Sequence, residues 1–452
     1  MNKQVHSIFL ILIAALAYPP PVSAQARPSA NQSTKHTKAS PADAIKLVAL
    51  KVTGTQRYND KEILAASGLE LGQVVSEGDF KEAVRRLGET GLFTDVAYAF
   101  SFSDAGTKLE LQLTDTDKKR LIPAVFENFV WFTDAELISE LQKRVPLFKQ
   151  VLPVAGTLPD RLNDSLQSIL SEKQLPGHVD YMRQGKQEGG DLTGIAYRVT
   201  DVEIRVRNCE FPGAAREQSA ALIQAAHKLA GVPYDRSSLA AVARLDFLPV
   251  FLRHGYLRAE FAPSEAKVVP KSSHEEELAN VEVDAVFPVT PGKVYSTLDV
   301  SWKGNSALKT EELRGLIHLP VGEPADAVRL VNDVESVERL YHSRGYMAAK
   351  VTADPAIDDE KSAVRYAINV VEGDQYKMGE LEIVGLDTQA TTHLQSAWSL
   401  HEGDPYNGDY ARKFLESTNR FLPGGVAWDI AVHESINTKD KTVDVTLRFR
   451  PK

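Results

Sequence analysis

Along this chain the spacing of hydrophobic residues changes in a fixed order that returns several times. Residues 293–373 show one cycle most plainly. Leu298, Val300 and Trp302 alternate with polar neighbours, the period-two pattern of a half-buried strand, and Gly304-Asn305 stops it. Thr310 is the expected N-cap of a short helix that opens with Glu311 and Glu312, carries Leu313, Leu316 and Ile317 on one face, and ends at Pro320 and Gly322. A second helix follows, with Leu330, Val334, Val337, Leu340 and Tyr341 spaced as the stripe of a helix packed on a sheet. Gly345-Tyr346 then turns the chain into a strand around Ala348 to Thr352, and Val364, Tyr366, Ile368 and Val370 alternate as the last strand. The predicted order is β-α-α-β-β.

The same order recurs at a spacing of roughly 75 to 90 residues, the mark of an internal repeat. In the first copy Val48, Leu50 and Val52 lead to Gly54, then Gly72, a helix with Ala83, Val84 and Leu87, and the turn Gly91-Leu92-Phe93. Its closing hairpin alternates cleanly through Val96, Tyr98, Phe100 and Phe102, turns at Asp104-Ala105-Gly106, and returns through Leu109, Leu111 and Leu113. The third copy has Val202, Ile204 and Val206, then Gly231, a helix from Ser238, Gly255-Tyr256, and finally Val281, Val283 and Phe287. The fifth has Leu381, Ile383 and Gly385, then Gly403, a helix with Phe414 and Phe421, Gly424-Gly425, and finally Val443, Val445, Leu447 and Phe449. Residues 118–200 form a divergent second copy: its helices fall between Thr133 and Leu170 with Pro146 and Pro153 intervening, Pro176-Gly177 takes the place of the Gly-aromatic turn, and its closing strand reads as a short one around Ile195 to Val199. Insertions at Gln184 to Asp191 and Ser264 to Glu277 lengthen two hairpins.

One apolar helix pair can cover one face of a three-stranded sheet, a two-layer core that such a repeat can just sustain. The fold class expected is therefore α+β: a tandem array of five βααββ modules, each a three-stranded mixed sheet under two helices. The expected boundaries are 45–117, 118–200, 201–292, 293–374 and 375–452. Gly leaves the second helix at positive φ, and the aromatic after it packs beneath the helices.

Composition narrows the function. The chain of 452 residues carries a formal net charge of −9. That argues against a general nucleic-acid binder, since phosphate binding needs clustered Lys and Arg. Residues 1–24 read as a secretory signal peptide, with Lys3, the apolar run Ile8 to Ala17, Pro19 to Pro21, and Val22-Ser23-Ala24 before a cleavage at Gln25. Residues 25–44 are too polar to pack and read as a disordered linker. The mature chain is expected to be exported and to hold no transmembrane segment. Cys209 is the one cysteine, so no intramolecular disulfide can form. His274-Glu275-Glu276-Glu277 lacks the second His of a zinc-protease helix, no Gly-rich phosphate loop or G-x-S-x-G elbow occurs, and His227, His318, His342 and His401 are scattered over different copies. No catalytic residue, metal or cofactor is expected, and the chain is read as non-enzymatic.

Several segments together resemble a known family. Gly91-Leu92-Phe93-Thr94-Asp95-Val96 resembles the G-x-F-x-x-V turn of POTRA domains in the BamA and TamA outer-membrane assembly-factor superfamily. Arg344-Gly345-Tyr346 and Arg253-His254-Gly255-Tyr256 resemble the R-G-Y turn, and Val371-Glu372-Gly373 running on to Leu381-Glu382-Ile383-Val384-Gly385 resembles the V-x-E-G junction between successive POTRA domains. The sequence departs from that family after Lys452, where no barrel follows, so a POTRA protein without the C-terminal β-barrel is expected. The resemblance implies periplasmic binding and docking, peripheral to the outer membrane.

In a βααββ unit the closing strand should lie centrally, leaving its hairpin partner at an edge with unpaired backbone groups. Extended segments of outer-membrane protein clients, or of a β-barrel assembly partner, could add there. The candidate partner-binding residues are Val96, Tyr98, Phe100 and Phe102, then Leu257, Ala259 and Phe261, then Ala348, Lys350 and Thr352. A scaffold or chaperone-like adaptor in outer-membrane protein assembly is the function expected. The alternative is a structural docking or spacer protein of another envelope complex, for secretion or division.

Overall fold

The structure, a computed structural model, describes residues 46–103, 105–185, 191–270, 280–417 and 427–451. The segments read as signal peptide and linker, the His274 run, Phe421 and Gly424-Gly425 therefore lie outside the described residues, as do 186–190 of the first hairpin insertion and 271–277 of the second. The chain falls into two compact units, one of residues up to 207 with 231–237 and 265–284, the other of 208–230, 238–264 and 285 onward.

In the first copy β1 (Leu47–Thr53), α1 (Asp60–Ser67), α2 (Glu77–Glu89), β2 (Phe93–Ser103) and β3 (Gly106–Asp115) follow in the expected order. The Asn59 side chain accepts the Glu62 N–H at 3.0 Å while the Glu62 carboxylate accepts the Asn59 N–H at 2.9 Å, a reciprocal cap that sets the start of α1. The sheet order is β1-β3-β2, with β1 parallel and β2 antiparallel to the central β3. Phe80, Ala83, Val84 and Leu87 of α2 are buried in one cluster with Leu109, Leu111 and Leu113 of β3.

The second copy contains β4 (Leu121–Phe126), α3 (Asp134–Arg144), β5 (Val151–Pro153), α4 (Leu158–Glu172), β6 (His178–Gly185) and β7 (Leu192–Thr200). Its sheet has four strands in the order β5-β4-β7-β6, one more than expected. Pro146 and Pro153 bar a helix between them, and the extended stretch they leave pairs with β4. The closing strand β7 is nine residues long, longer than its pattern suggested. The buried Asn128 completes the β4 side by donating to the Val199 carbonyl at 2.9 Å and accepting the Val199 N–H at 2.7 Å. The first two copies also share one continuous buried cluster, where separate cores were expected. Gly91 explains how they come so close: a Cβ there would lie 1.9 Å from the Ala155 carbonyl oxygen.

The third copy runs β8 (Glu203–Glu210), α5 (Arg216–Ala226), α6 (Arg236–Val242), a π turn at Ala243–Phe247, α7 (Leu248–Leu252), β9 (Glu260–Phe261), β10 (Glu265–Val268), β11 (Asn280–Val286) and β12 (Val289–Thr290). Its three-stranded sheet has the order β10-β11-β8, and among the described residues β9 pairs only with β12.

The fourth copy, β13 (Ser296–Lys303), α8 (Thr310–Arg314), α9 (Ala327–Ser343), β14 (Lys350–Asp358) and β15 (Ala363–Val371), has the order β13-β15-β14. The N-cap of α8 is Lys309, not Thr310; the Thr310 hydroxyl instead accepts a hydrogen bond from Asn305 Nδ2 at 2.9 Å. The fifth copy, β16 (Lys377–Val384), α10 (Thr388–Ala397), α11 (Tyr410–Ser417), β17 (Trp428–Asn437) and β18 (Thr442–Pro451), has the order β16-β18-β17.

The repeat extends to individual backbone bonds. Gly72, Gly231, Gly322 and Gly403 donate to the carbonyls of Leu47, Val206, Thr297 and Met378 at 2.7, 2.8, 2.7 and 2.8 Å. All four glycines stand at positive φ, between 80° and 90°. The same loop forms a short antiparallel bridge to the first strand each time: Lys46 with Val74, Arg205 with Pro233, Ser296 with Pro324 and Lys377 with Pro405.

In the second unit the Gly-aromatic turn also joins copies. The Gly255 carbonyl accepts the Tyr295 N–H at 2.8 Å, and the Tyr295 carbonyl accepts the Ala325 N–H at 2.8 Å. Gly345, Tyr376 and Tyr406 repeat this clasp one copy later at 2.7 and 2.9 Å.

Candidate partner-binding edges

Because the closing strand is central, its hairpin partner becomes an edge: β2, β6, β10, β14 and β17 each end their sheet among the described residues. An edge strand presents N–H and C=O groups with no ladder partner.

Val96, Tyr98, Phe100 and Phe102 all lie on β2, facing Leu113, Leu111, Leu109 and Thr107 across the antiparallel ladder. Period-two alternation puts them on one face, towards α2. Phe80 of α2 stands 5.2 Å from Phe100, Tyr98 stacks on Phe100 at 6.4 Å, and Phe102 meets Phe100 edge-on at 5.3 Å. Val96 is buried, but exposure rises along the strand to 37% at Phe100 and 61% at Phe102. Lys81 pairs with Glu77 at 2.8 Å on α2 beside Tyr98. Desolvation, and then the Glu77 carboxylate, hold the Tyr98 phenol above its ordinary range.

Lys350 and Thr352 lie on the edge strand β14, opposite Val371 and Asn369. Ala348 does not: it sits in the turn before β14, whose ladder begins at Lys350. The third group is displaced further. Leu257 and Ala259 are in the turn that follows Gly255, and Phe261 ends the two-residue strand β9. The true edge of that sheet is β10, inside the segment read as an insertion. After α7 the chain is held by turn bonds from Leu257 N–H to the Gly255 carbonyl and from Ala259 N–H to the Tyr256 carbonyl, so no ladder forms until Glu260. Sequence reasoning left β6 and β17 unnamed, although the order that placed β2 at an edge applies to them equally.

An open hollow of about 800 Å³ lies at α3 and the end of α4, with Trp131, Phe132, Ala135 and Ser139 among its lining. Lys173 Nζ stands 5.7 Å from the Phe132 ring centroid there, a cation–π distance. Among the described residues no group of three or more His, Cys, Asp or Glu side chains could hold a metal ion, and no helix is long and apolar enough to cross a membrane.

The copies thus share a mixed sheet with a central closing strand and accompanying helices, the arrangement of a repeated α+β module. Residues 295–373 match the POTRA family, described as a surface antigen variable number repeat. Among curated proteins the chain is 32% identical over 131 residues to a Treponema pallidum (strain Nichols) protein described as an outer membrane protein assembly factor, covering 26% of this chain and 15% of that one. It is 22% identical over 173 residues to the outer membrane protein assembly factor BamA of Buchnera aphidicola subsp. Acyrthosiphon pisum (strain APS), covering 37% of this chain and 27% of the relative. The matched stretches thus span well under a third of either relative. Among solved structures, POTRA domains 3–5 of Haemophilus influenzae BamA align over 55% of this chain and 96% of theirs, with a TM-score of 0.40 and 18% identity.

Proposed function

We propose that this chain is a non-enzymatic periplasmic scaffold or chaperone-like adaptor in outer-membrane protein assembly. It binds outer-membrane protein clients, or a β-barrel partner, by strand addition to its sheet edges, and it is exported by residues 1–24 to act at the periplasmic face of the outer membrane. Its five modules occupy about 45–117, 118–200, 201–292, 293–374 and 375–452. The observation that supports this reading most is the recurring strand order, which leaves a hairpin strand at an edge in every copy.

Each backbone hydrogen bond to an added strand contributes about 0.5–1.5 kcal/mol net, so a single edge binds weakly and several on one chain raise avidity. The relatives named for outer-membrane assembly support the setting, and the POTRA match supports a docking role. Isotope-labelled mature protein titrated with peptides from outer-membrane β-strands should show amide shifts concentrated on β2, β14 and the other edge strands. Shifts confined to loops, or none at all, would favour a spacer protein of another envelope complex.

A further inference from the structure

We infer that the strongest strand-accepting edge of this chain is β2, and that it takes an extended, uncharged segment with aromatic or large apolar side chains at every second position. This rests on the strand-addition reading above and names the edge and the chemistry of what it accepts.

Sheet edges are ordinarily blunted by charge, proline or shortness, which deter pairing with other chains. Four of the five edges formed by hairpin strands carry such devices. Along β14 stand Lys350, Asp354, Pro355 and Asp358, and Pro355 has no N–H to offer an incoming strand. The β6 edge carries Asp180 and Arg183, β17 carries Asp429 and Glu434, and β10 is only four residues long. The β2 edge differs: from Val96 to Ser103 it holds neither a charge nor a proline.

The two faces of β2 specify the partner. Away from α2 the residues are small, Ala97, Ala99 and Ser101, and towards α2 they are Tyr98, Phe100 and Phe102. An added strand would lie about 5 Å from β2, with alternate side chains beside the three rings. Rings there would cover Phe100 and Phe102, which β3 and α2 leave partly exposed. A charged side chain at the same place would lose water and meet no counter-charge on β2, because the nearby Lys81 is already paired with Glu77.

The test uses the full mature chain and a fluorescent, lysine-flanked peptide alternating Phe with Thr. The comparison peptides have the same composition with the Phe residues adjacent, or Glu in place of Phe. Fluorescence anisotropy should show the alternating peptide binding most tightly. Placing charge on the edge by the double variant Ala99→Lys, Phe102→Lys should weaken binding about tenfold or more, and Thr352→Lys on β14 should weaken it by less than about twofold. Both β2 positions are exposed, and Ser101→Lys alone gives a milder check should the double variant lose its native circular dichroism. Binding lost with Thr352→Lys but kept with the β2 lysines would overturn the choice of edge and leave strand addition standing. Equal binding of the Glu peptide would overturn the partner chemistry. No binding of any peptide would overturn this inference together with the reading beneath it.

Discussion

Gly345 has two separate reasons to be glycine: its φ is 90°, and a Cβ would lie 2.4 Å from the Tyr376 carbonyl oxygen. Gly403 has only the first, at φ 88° with nothing within 4 Å of the added atom. Gly403→Ala should therefore cost about 1–2 kcal/mol of backbone strain, and Gly345→Ala more, because it also breaks the clasp to the next copy. Urea denaturation of the two variants measures the difference. Two buried phenols give a pH dependence of defined sign. Desolvation pushes Tyr58 and Tyr366 each up to about 12. A folded value above the unfolded one, about 10, means the native state favours the neutral phenol; the stability is fully present below pH ~10 and is lost as pH rises through about 12. Alkaline absorbance titration should show these two tyrosines ionising together with unfolding, and Tyr366→Phe should shift the midpoint upward.

At the scale of elements, amphipathic spacing decides which face is buried, and the structure bears this out for α2. Leu87 is fully buried there, so Leu87→Ala should cost about 2–5 kcal/mol, read from the shift in urea midpoint. The strand patterns were equally legible: Val364, Tyr366, Ile368 and Val370 fall on β15, and Val443, Val445, Leu447 and Phe449 on β18, each at the centre of its sheet. Strand beginnings were less so. Ala348 and the run from Leu257 to Phe261 read as strand because each follows a Gly-aromatic turn, yet the turn takes several residues before a ladder forms. Strand identity rests on cross-chain pairing, which a local pattern cannot report. The cap of α8 has a similar cause. A threonine before two glutamates predicts an N-cap, but Asn305 engages that hydroxyl.

At the scale of the whole chain, one repeat is joined to the next by different devices. In the second unit the Gly255 and Gly345 clasps are alike, bond for bond. In the first unit the buried Glu127 carboxylate accepts the Ser237 N–H at 2.9 Å and the Ser237 hydroxyl at 2.6 Å. Glu127→Ala would leave those donors without their acceptor; hydrogen exchange at Ser237 should quicken while that of β16 and β18 stays unchanged. Alternation alone gave no means of ranking the β14 and β2 edges, since only the strand pairing shows that Pro355 stands on an edge strand.

Alternation and helical spacing by themselves determined the order of elements and its recurrence, since both follow from which side chains avoid water within a single strand or helix. Tertiary structure alone decided the fourth strand of the second sheet, the merging of the first two cores, and the residues at each edge. Those outcomes depend on backbone groups far apart in the chain meeting, and hydrophobic pattern carries no record of which distant carbonyl a given N–H will find.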